Sequence, residues 1–254
     1  MTEAGWLVCA DPGTMLVFLR GKASDRKLRL FAVACCRLTG LGFRMDTLYQ
    51  DAVELAERHA DGSSLPPGVL AAAAAEANRL QEASAMMARY EPDSDPARLT
   101  AEVDALTIGL MGAKPSWDSG RAAEVFAIAF APGMYRDSPG NVPRQGKPHF
   151  KTREAARTFF LREQAALLRD IFGNPFRPVS LAPAWRTPDV LQLAQAAYDN
   201  RLLPSGLLDD TRLAVLADAL EEAGCVNADM LAHCRGPGPH VRGCWVADAV
   251  LGKT

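Results

Sequence analysis

The sequence predicts an all-α protein, an irregular bundle of about eight or nine helices with a proline- and glycine-rich loop near the C-terminus. Apolar residues recur at helical spacing through most of the chain, which is the main sign of amphipathic helices. Stretches that alternate apolar and polar residues, as half-buried strands do, are nearly absent. No unit of about 20–50 residues repeats, which argues against a solenoid.

The N-terminal half contains several predicted helices. Ser24 is the predicted N-cap of a helix that buries apolar residues over 28–35. A second helix begins near Asp46 and ends at Gly62, since glycine commonly terminates helices. The alanine-rich segment 66–90 predicts a third, because alanine has the highest helix propensity.

The segment 132–151 lacks periodicity and carries a basic bias. Long segments of this kind inside a compact domain are usually functional or disordered. We therefore expect a single helical domain over 1–254, with a subdivision into 1–131 and 152–254 joined by this long loop as the alternative.

The C-terminal part shows the clearest helix signals. A long amphipathic helix over 152–172 is followed by the stop signal Gly173-Asn174-Pro175 and an extended, proline-rich connector over 175–186. Thr187 and Pro188 form an N-cap and first helical position. Further helices are predicted over 210–223 and 227–234. The last is predicted to begin near His240 or Val241 and to end at Leu251.

Composition limits the class of protein. The net charge of −2 argues against a protein built as a whole to bind polyanions, although it permits a local basic patch. The apolar run 28–36 is too short to span a bilayer. The acidic start of the chain lacks the basic and apolar regions of a secretory signal. We therefore expect a cytoplasmic protein with reduced cysteines and no membrane partner.

Residues 212–224 read R-L-x-x-x-A-D-x-L-E-E-x-G, with Ala219 where tryptophan is usual. This pattern resembles the signature of small bacterial repeat-companion domains. The two ends of the chain and the element 173–178 resemble a family of uncharacterised bacterial proteins. The resemblance implies a bacterial, cytoplasmic protein and supplies no catalytic residues.

The stretch 233–245 holds two histidines, two cysteines and two arginines around a Gly-Pro-Gly-Pro bend. Zinc prefers four nitrogen or sulfur ligands, commonly as short-spaced pairs that bracket a turn. His233, Cys234, His240 and Cys244 are therefore candidate zinc ligands. In the alternative reading both thiols are core side chains and the imidazoles hydrogen-bond to the loop, because the spacing differs from that of the familiar zinc fingers.

The same loop is a candidate anion site. Exposed backbone amides, positive side chains and the start of a helix together favour phosphate groups. The residues proposed for this role are Arg235, Gly236, Gly238, His240 and Arg242. In the alternative reading the arginines pair with neighbouring acids, a common role for arginine.

A third candidate is a nucleic-acid surface on the basic segment 20–37. Its residues are Arg20, Lys22, Arg26, Lys27 and Arg29. The basic residues of the 132–151 loop would extend it. Because aromatic residues are not interleaved with these charges, base stacking is not supported. Charge runs of this kind are usually solvated faces.

No motif of nucleophilic or metal-dependent hydrolysis occurs in the chain. The favoured function is therefore a non-catalytic helical interaction or accessory module that recognises a protein partner. The first alternative is a protein that binds a metal or a phosphate-bearing ligand through the 233–244 loop. The second is a nucleic-acid-binding protein.

Overall fold

A computed structural model describes residues 1–40, 47–62 and 153–253. Within these ranges the chain forms nine α-helices, one short 3-10 helix and two isolated β-bridges, without a β-strand. The predicted all-α class is confirmed. The predicted helix over 66–90, the boundary between 131 and 152 and the loop 132–151 lie outside the described residues.

Four helices precede residue 63 and five follow residue 152. They are α1 (Glu3–Val8), α2 (Pro12–Leu19), α3 (Asp25–Gly40), α4 (Thr47–Ala60), α5 (Arg153–Phe172), α6 (Pro188–Asp199), α7 (Asp210–Glu222), α8 (Ala228–Arg235) and α9 (Trp245–Leu251). None of these helices is both long and apolar enough to span a bilayer.

Three predicted helix starts are confirmed by their caps. The Ser24 hydroxyl accepts the Lys27 backbone N–H at the start of α3. The Thr187 side chain accepts the Val190 backbone N–H at the start of α6. The Asn227 side chain accepts the Met230 backbone N–H at the start of α8. Each cap satisfies an amide that has no partner within its helix.

The last helix begins at Trp245. The predicted start near His240 or Val241 is therefore wrong. The backbone N–H of Val241 donates to the Asp170 carboxylate at 2.9 Å, and the His240 carbonyl accepts the Leu208 N–H at 2.8 Å. These long-range hydrogen bonds hold the segment in a non-helical conformation that its local apolar pattern does not reveal.

Two further differences concern short elements. Helices α1 and α2 were not predicted, since each contains at most eight residues and shows little periodicity. The connector 175–186 was expected to be extended throughout, but it contains a 3-10 turn over Pro183–Trp185. Proline suits the first position of such a turn because its φ is already fixed there.

Two apolar clusters form the core, one around α2, α3 and α5 and one around α6 to α9. The C-terminal end of α5 lies where they meet. Gly173 has a φ of +63° there, and a Cβ atom on it would lie 3.0 Å from Cγ of Trp245. The fully buried Trp6 donates its indole N–H to the Gly173 carbonyl at 3.0 Å. Glycine at this position therefore allows the Trp245 indole to approach the end of α5.

We expect Trp6→Phe to lower the free energy of unfolding by about 1–3 kcal/mol, because the substitution leaves a buried carbonyl without its donor. Urea denaturation followed by circular dichroism measures this. The matched control is Trp185→Phe, since the Trp185 indole is partly buried and donates no hydrogen bond to any described residue. Equal losses in the two variants would contradict the role of the Trp6 hydrogen bond.

Candidate metal centre

Four side chains from separate elements converge at the end of α5. Asp170 lies in the last turn of α5 and His233 in the last turn of α8. His240 lies in the loop that follows α8, and Cys244 is the residue before α9. Their nearest ligand atoms all lie within 4.8 Å of one another.

Three of the six distances among the ligand atoms are close to those of a tetrahedral metal site, and the other pairs lie within 4.8 Å. Asp170 Oδ1 lies 2.8 Å from His240 Nδ1 and 3.1 Å from His233 Nε2. His233 Nε2 lies 3.2 Å from Cys244 Sγ. Zinc bond lengths of about 2.0–2.3 Å separate tetrahedral ligand atoms by about 3.3–3.6 Å. These three pairs would have to separate by a few tenths of an ångström to admit the ion, and any pair near the 4.8 Å limit would have to close by about 1 Å.

Two of the remaining polar atoms of the cluster have outer hydrogen bonds. Asp170 Oδ2 accepts the Val241 backbone N–H at 2.9 Å, and His240 Nε2 donates to the Gly236 carbonyl at 3.2 Å. Metal-binding histidines usually donate their second ring N–H in this way, which fixes the tautomer and the ring orientation. The Asp170 Oδ1 and His240 Nδ1 atoms are therefore the ones left for a metal.

The cluster is almost completely enclosed. Cys244 is fully buried, and the side chains of Asp170 and His240 are each 3% exposed. The His233 side chain is 18% exposed and lines a cleft beside Trp245. Solvent therefore reaches the cluster from the side on which His233 lies.

Burial and charge set the protonation of these groups. Burial raises the pKa of Asp170, but hydrogen bonds and charges from His233 and His240 outweigh it and lower the pKa overall. Burial lowers the pKa of His240, but the hydrogen bond and charge of Asp170 raise it overall. Burial, with the charges of Asp170 and Cys234, raises the pKa of the Cys244 thiol.

These pKa shifts favour one set of protonation states in the metal-free cluster. Asp170 is a carboxylate and Cys244 is a thiol. Both ring nitrogens of His240 face acceptors, Asp170 Oδ1 and the Gly236 carbonyl, so the ring donates twice as an imidazolium. The charges of Asp170 and His240 cancel, which is what a buried site requires.

Three of the four predicted zinc ligands, His233, His240 and Cys244, lie together in this cluster. Cys234 does not belong to the cluster. It follows His233 on α8, and adjacent helical residues diverge by about 100°. It is fully buried in the C-terminal core, and burial raises the pKa of its thiol to about 12.

Asp170 was not predicted. It is 70 residues from His240 in sequence, so no short motif connects them. The available signal is a carboxylate beside the buried residues Leu168 and Ile171 on α5. A buried charge is costly without a partner, so a carboxylate in this position indicates that a partner lies nearby.

Four of the five candidate anion residues have partners within the protein. Arg235 pairs with Asp218 at 2.7 Å and with Glu221 at 2.6 Å. The Gly236 N–H donates to the His233 carbonyl, and His240 belongs to the metal cluster. Arg242 donates to the Tyr198 carbonyl at 3.2 Å, and Gly238 precedes a cis peptide bond to Pro239.

The basic segment 20–37 does not form one exposed face. Arg20 and Lys22 are exposed. Arg26 and Lys27 are partly buried and bonded to Asp248 and to the Ile171 carbonyl, respectively. Arg29 donates to the ring of His59 at 3.3 Å. The basic residues of the 132–151 loop lie outside the described part of the chain.

No family model, curated protein or solved structure matches this chain. Residues 212–224 cover most of α7 and the turn that follows it. Leu213, Ala217 and Leu220 of the repeat-companion pattern are buried there, and Asp218 and Glu221 are exposed. The resemblance of this segment to that signature stays a prediction.

We expect the metal-free protein to keep His240 protonated above the ordinary histidine pKa of about 6.5. Because the folded pKa is raised, this stabilising contribution is complete below about pH 6.5 and is lost as the pH rises through the folded pKa. NMR titration of the ring in the presence of a chelator measures it.

The variant Asp170→Asn should move the His240 midpoint below the wild-type value, because burial then acts without the opposing charge. Asp218→Asn is the matched control, since Asp218 pairs with Arg235 on the surface. A wild-type midpoint at or below about 6.5 would contradict this assignment.

Proposed function

We propose that this protein binds one zinc ion through Asp170, His233, His240 and Cys244, and that the ion acts structurally. The observation that carries the proposal is the convergence of these four ligand atoms within 4.8 Å of one another. Three of the four side chains are almost fully buried. Ionisable groups are costly to bury, and buried charges are usually paired or bound to a metal.

The ligand types favour zinc over other divalent cations. Calcium and magnesium prefer sets of oxygen ligands. Here a single carboxylate is joined by two imidazoles and a thiol, and zinc accepts nitrogen, sulfur and oxygen together. Zinc also keeps the site neutral, because the ion's charge of +2 balances the carboxylate of Asp170 and the thiolate of Cys244.

Four protein ligands fill a tetrahedron, which is typical of structural zinc; catalytic zinc usually keeps one position open to water. The ion would join the end of α5 to α8 and to the start of α9. A structural role agrees with the non-catalytic helical module expected from the sequence. Recognition of a protein partner by that module remains part of the proposal and rests on the sequence alone.

We expect metal-free protein to bind zinc with a stoichiometry of one, measured by calorimetry. Cys244→Ala and His233→Gln should each weaken binding by about 100-fold or more, because each removes a ligand. Cys234→Ala is the matched control: this buried thiol lies next to His233 in sequence but outside the cluster. Wild-type affinity in Cys244→Ala, or loss of binding in Cys234→Ala, would contradict the proposed ligand set.

Zinc binding should release about two protons near neutral pH, since metal ligands must be deprotonated. One comes from His240 Nδ1 and the other from the Cys244 thiol, the two groups that burial and Asp170 keep protonated. Calorimetry in buffers with different ionisation enthalpies gives the number. Release of no protons would show that zinc binds elsewhere.

A further inference from the structure

A second cleft is lined in part by Trp245, whose ring also lies beside His233 of the metal cluster. Its volume is about 490 Å³, which is within the range of small-molecule sites. Three lysines line it, Lys22, Lys27 and Lys253. Its apolar walls include Phe172 and Trp245.

The three ammonium groups are held in place by different contacts. Lys22 Nζ lies 3.5 Å from the centroid of the Phe18 ring and within 4 Å of no carboxylate among the described residues. Lys27 Nζ donates to the Ile171 carbonyl at 2.7 Å and is 4.0 Å from Asp248. Lys253 Nζ donates to Asp61 at 2.7 Å.

Beside the cleft, positive charge exceeds negative charge within the described residues. Two carboxylates, those of Asp61 and Asp248, lie within 4.0 Å of the cations; Asp170 also acts on Lys27 from farther away, but its charge is balanced by His240. Four cations lie within 4.0 Å of Asp61, of Asp248 or of both: Arg26, Lys27, Arg242 and Lys253. Four positive and two negative charges leave an excess of two, and Lys22 adds a third. Asp25 is exposed and does not line the cleft.

A small dianion would compensate this excess. A phosphate group carries a charge of about −1.5 to −2 at neutral pH, and lysine commonly binds it as a point charge. The Ser24 hydroxyl also lines the cleft, and its oxygen accepts the Lys27 N–H, so its O–H remains a donor. The side chains of Lys27 and Lys253 are only 18% and 28% exposed, which suits a small ligand better than a polymer.

We propose that this cleft binds a small phosphate monoester. The phosphate lies between Lys22, Lys27 and Lys253, and the organic group packs against Trp245 and Phe172. The site is separate from the zinc cluster and does not depend on the zinc proposal.

The experiment is calorimetric titration of the full chain with phenyl phosphate in a buffer without phosphate. Inorganic phosphate and phenol are titrated in parallel. We expect one saturable site, with Lys22→Gln and Lys253→Gln each weakening binding by about tenfold, since each removes a charge-assisted contact. Arg20→Gln is the matched control, because Arg20 is exposed and basic but does not line the cleft. It should leave the affinity unchanged.

Three results would overturn the proposal. The first is an absence of saturable binding, or equal affinity in wild type and both lysine variants. The second is equal affinity for inorganic phosphate and phenyl phosphate, which would remove the role of the organic group. The third is tighter binding of a single-stranded oligonucleotide that is lost in Arg20→Gln, which would favour a nucleic-acid surface instead.

Discussion

The Asp170 carboxylate is the group on which the arrangement of the C-terminal half depends. It lies in the apolar core at the end of α5, and its two oxygens face His233, His240 and the Val241 backbone N–H. A charge in that position is tolerated only with partners. The last turn of α8 and the loop that follows it supply them, and the loop is thereby held against a helix 70 residues away.

The two apolar clusters of the protein meet at this point. Gly173 ends α5 and brings Trp6 from one cluster and Trp245 from the other into contact with the same turn. Trp245 also lines both the cleft that contains His233 and the lysine-lined cleft. The two proposed sites therefore both border Trp245 and use different chemistry, with nitrogen, sulfur and oxygen ligands at one and ammonium groups at the other.

Local patterns predicted much of the fold and part of the site. The starts of α3 and α6 followed from Ser24 and Thr187, because capping is a contact between residues three positions apart. His233, His240 and Cys244 were candidate zinc ligands because all three lie close to one bend in the sequence. Asp170 was missed because its partners are distant along the chain, and nothing local indicates which buried carboxylate they meet.

The same limit explains the errors of placement. The start of α9 was predicted too early because Val241 continues an apolar pattern, whereas the tertiary hydrogen bond to Asp170 decides its conformation. Cys234 was grouped with the ligands by proximity in sequence, but the helical rotation directs it into the core. The basic segment 20–37 was read as one patch, although Arg26 and Lys27 are used in contacts with distant parts of the chain.

Diffraction from crystals grown with zinc, recorded on both sides of the zinc absorption edge, tests the proposed ligand set of the metal site. We expect one anomalous peak among Asp170, His233, His240 and Cys244, about 2.0–2.3 Å from each ligand atom. A zinc peak elsewhere, or one coordinated by Cys234 in place of Asp170, would contradict it.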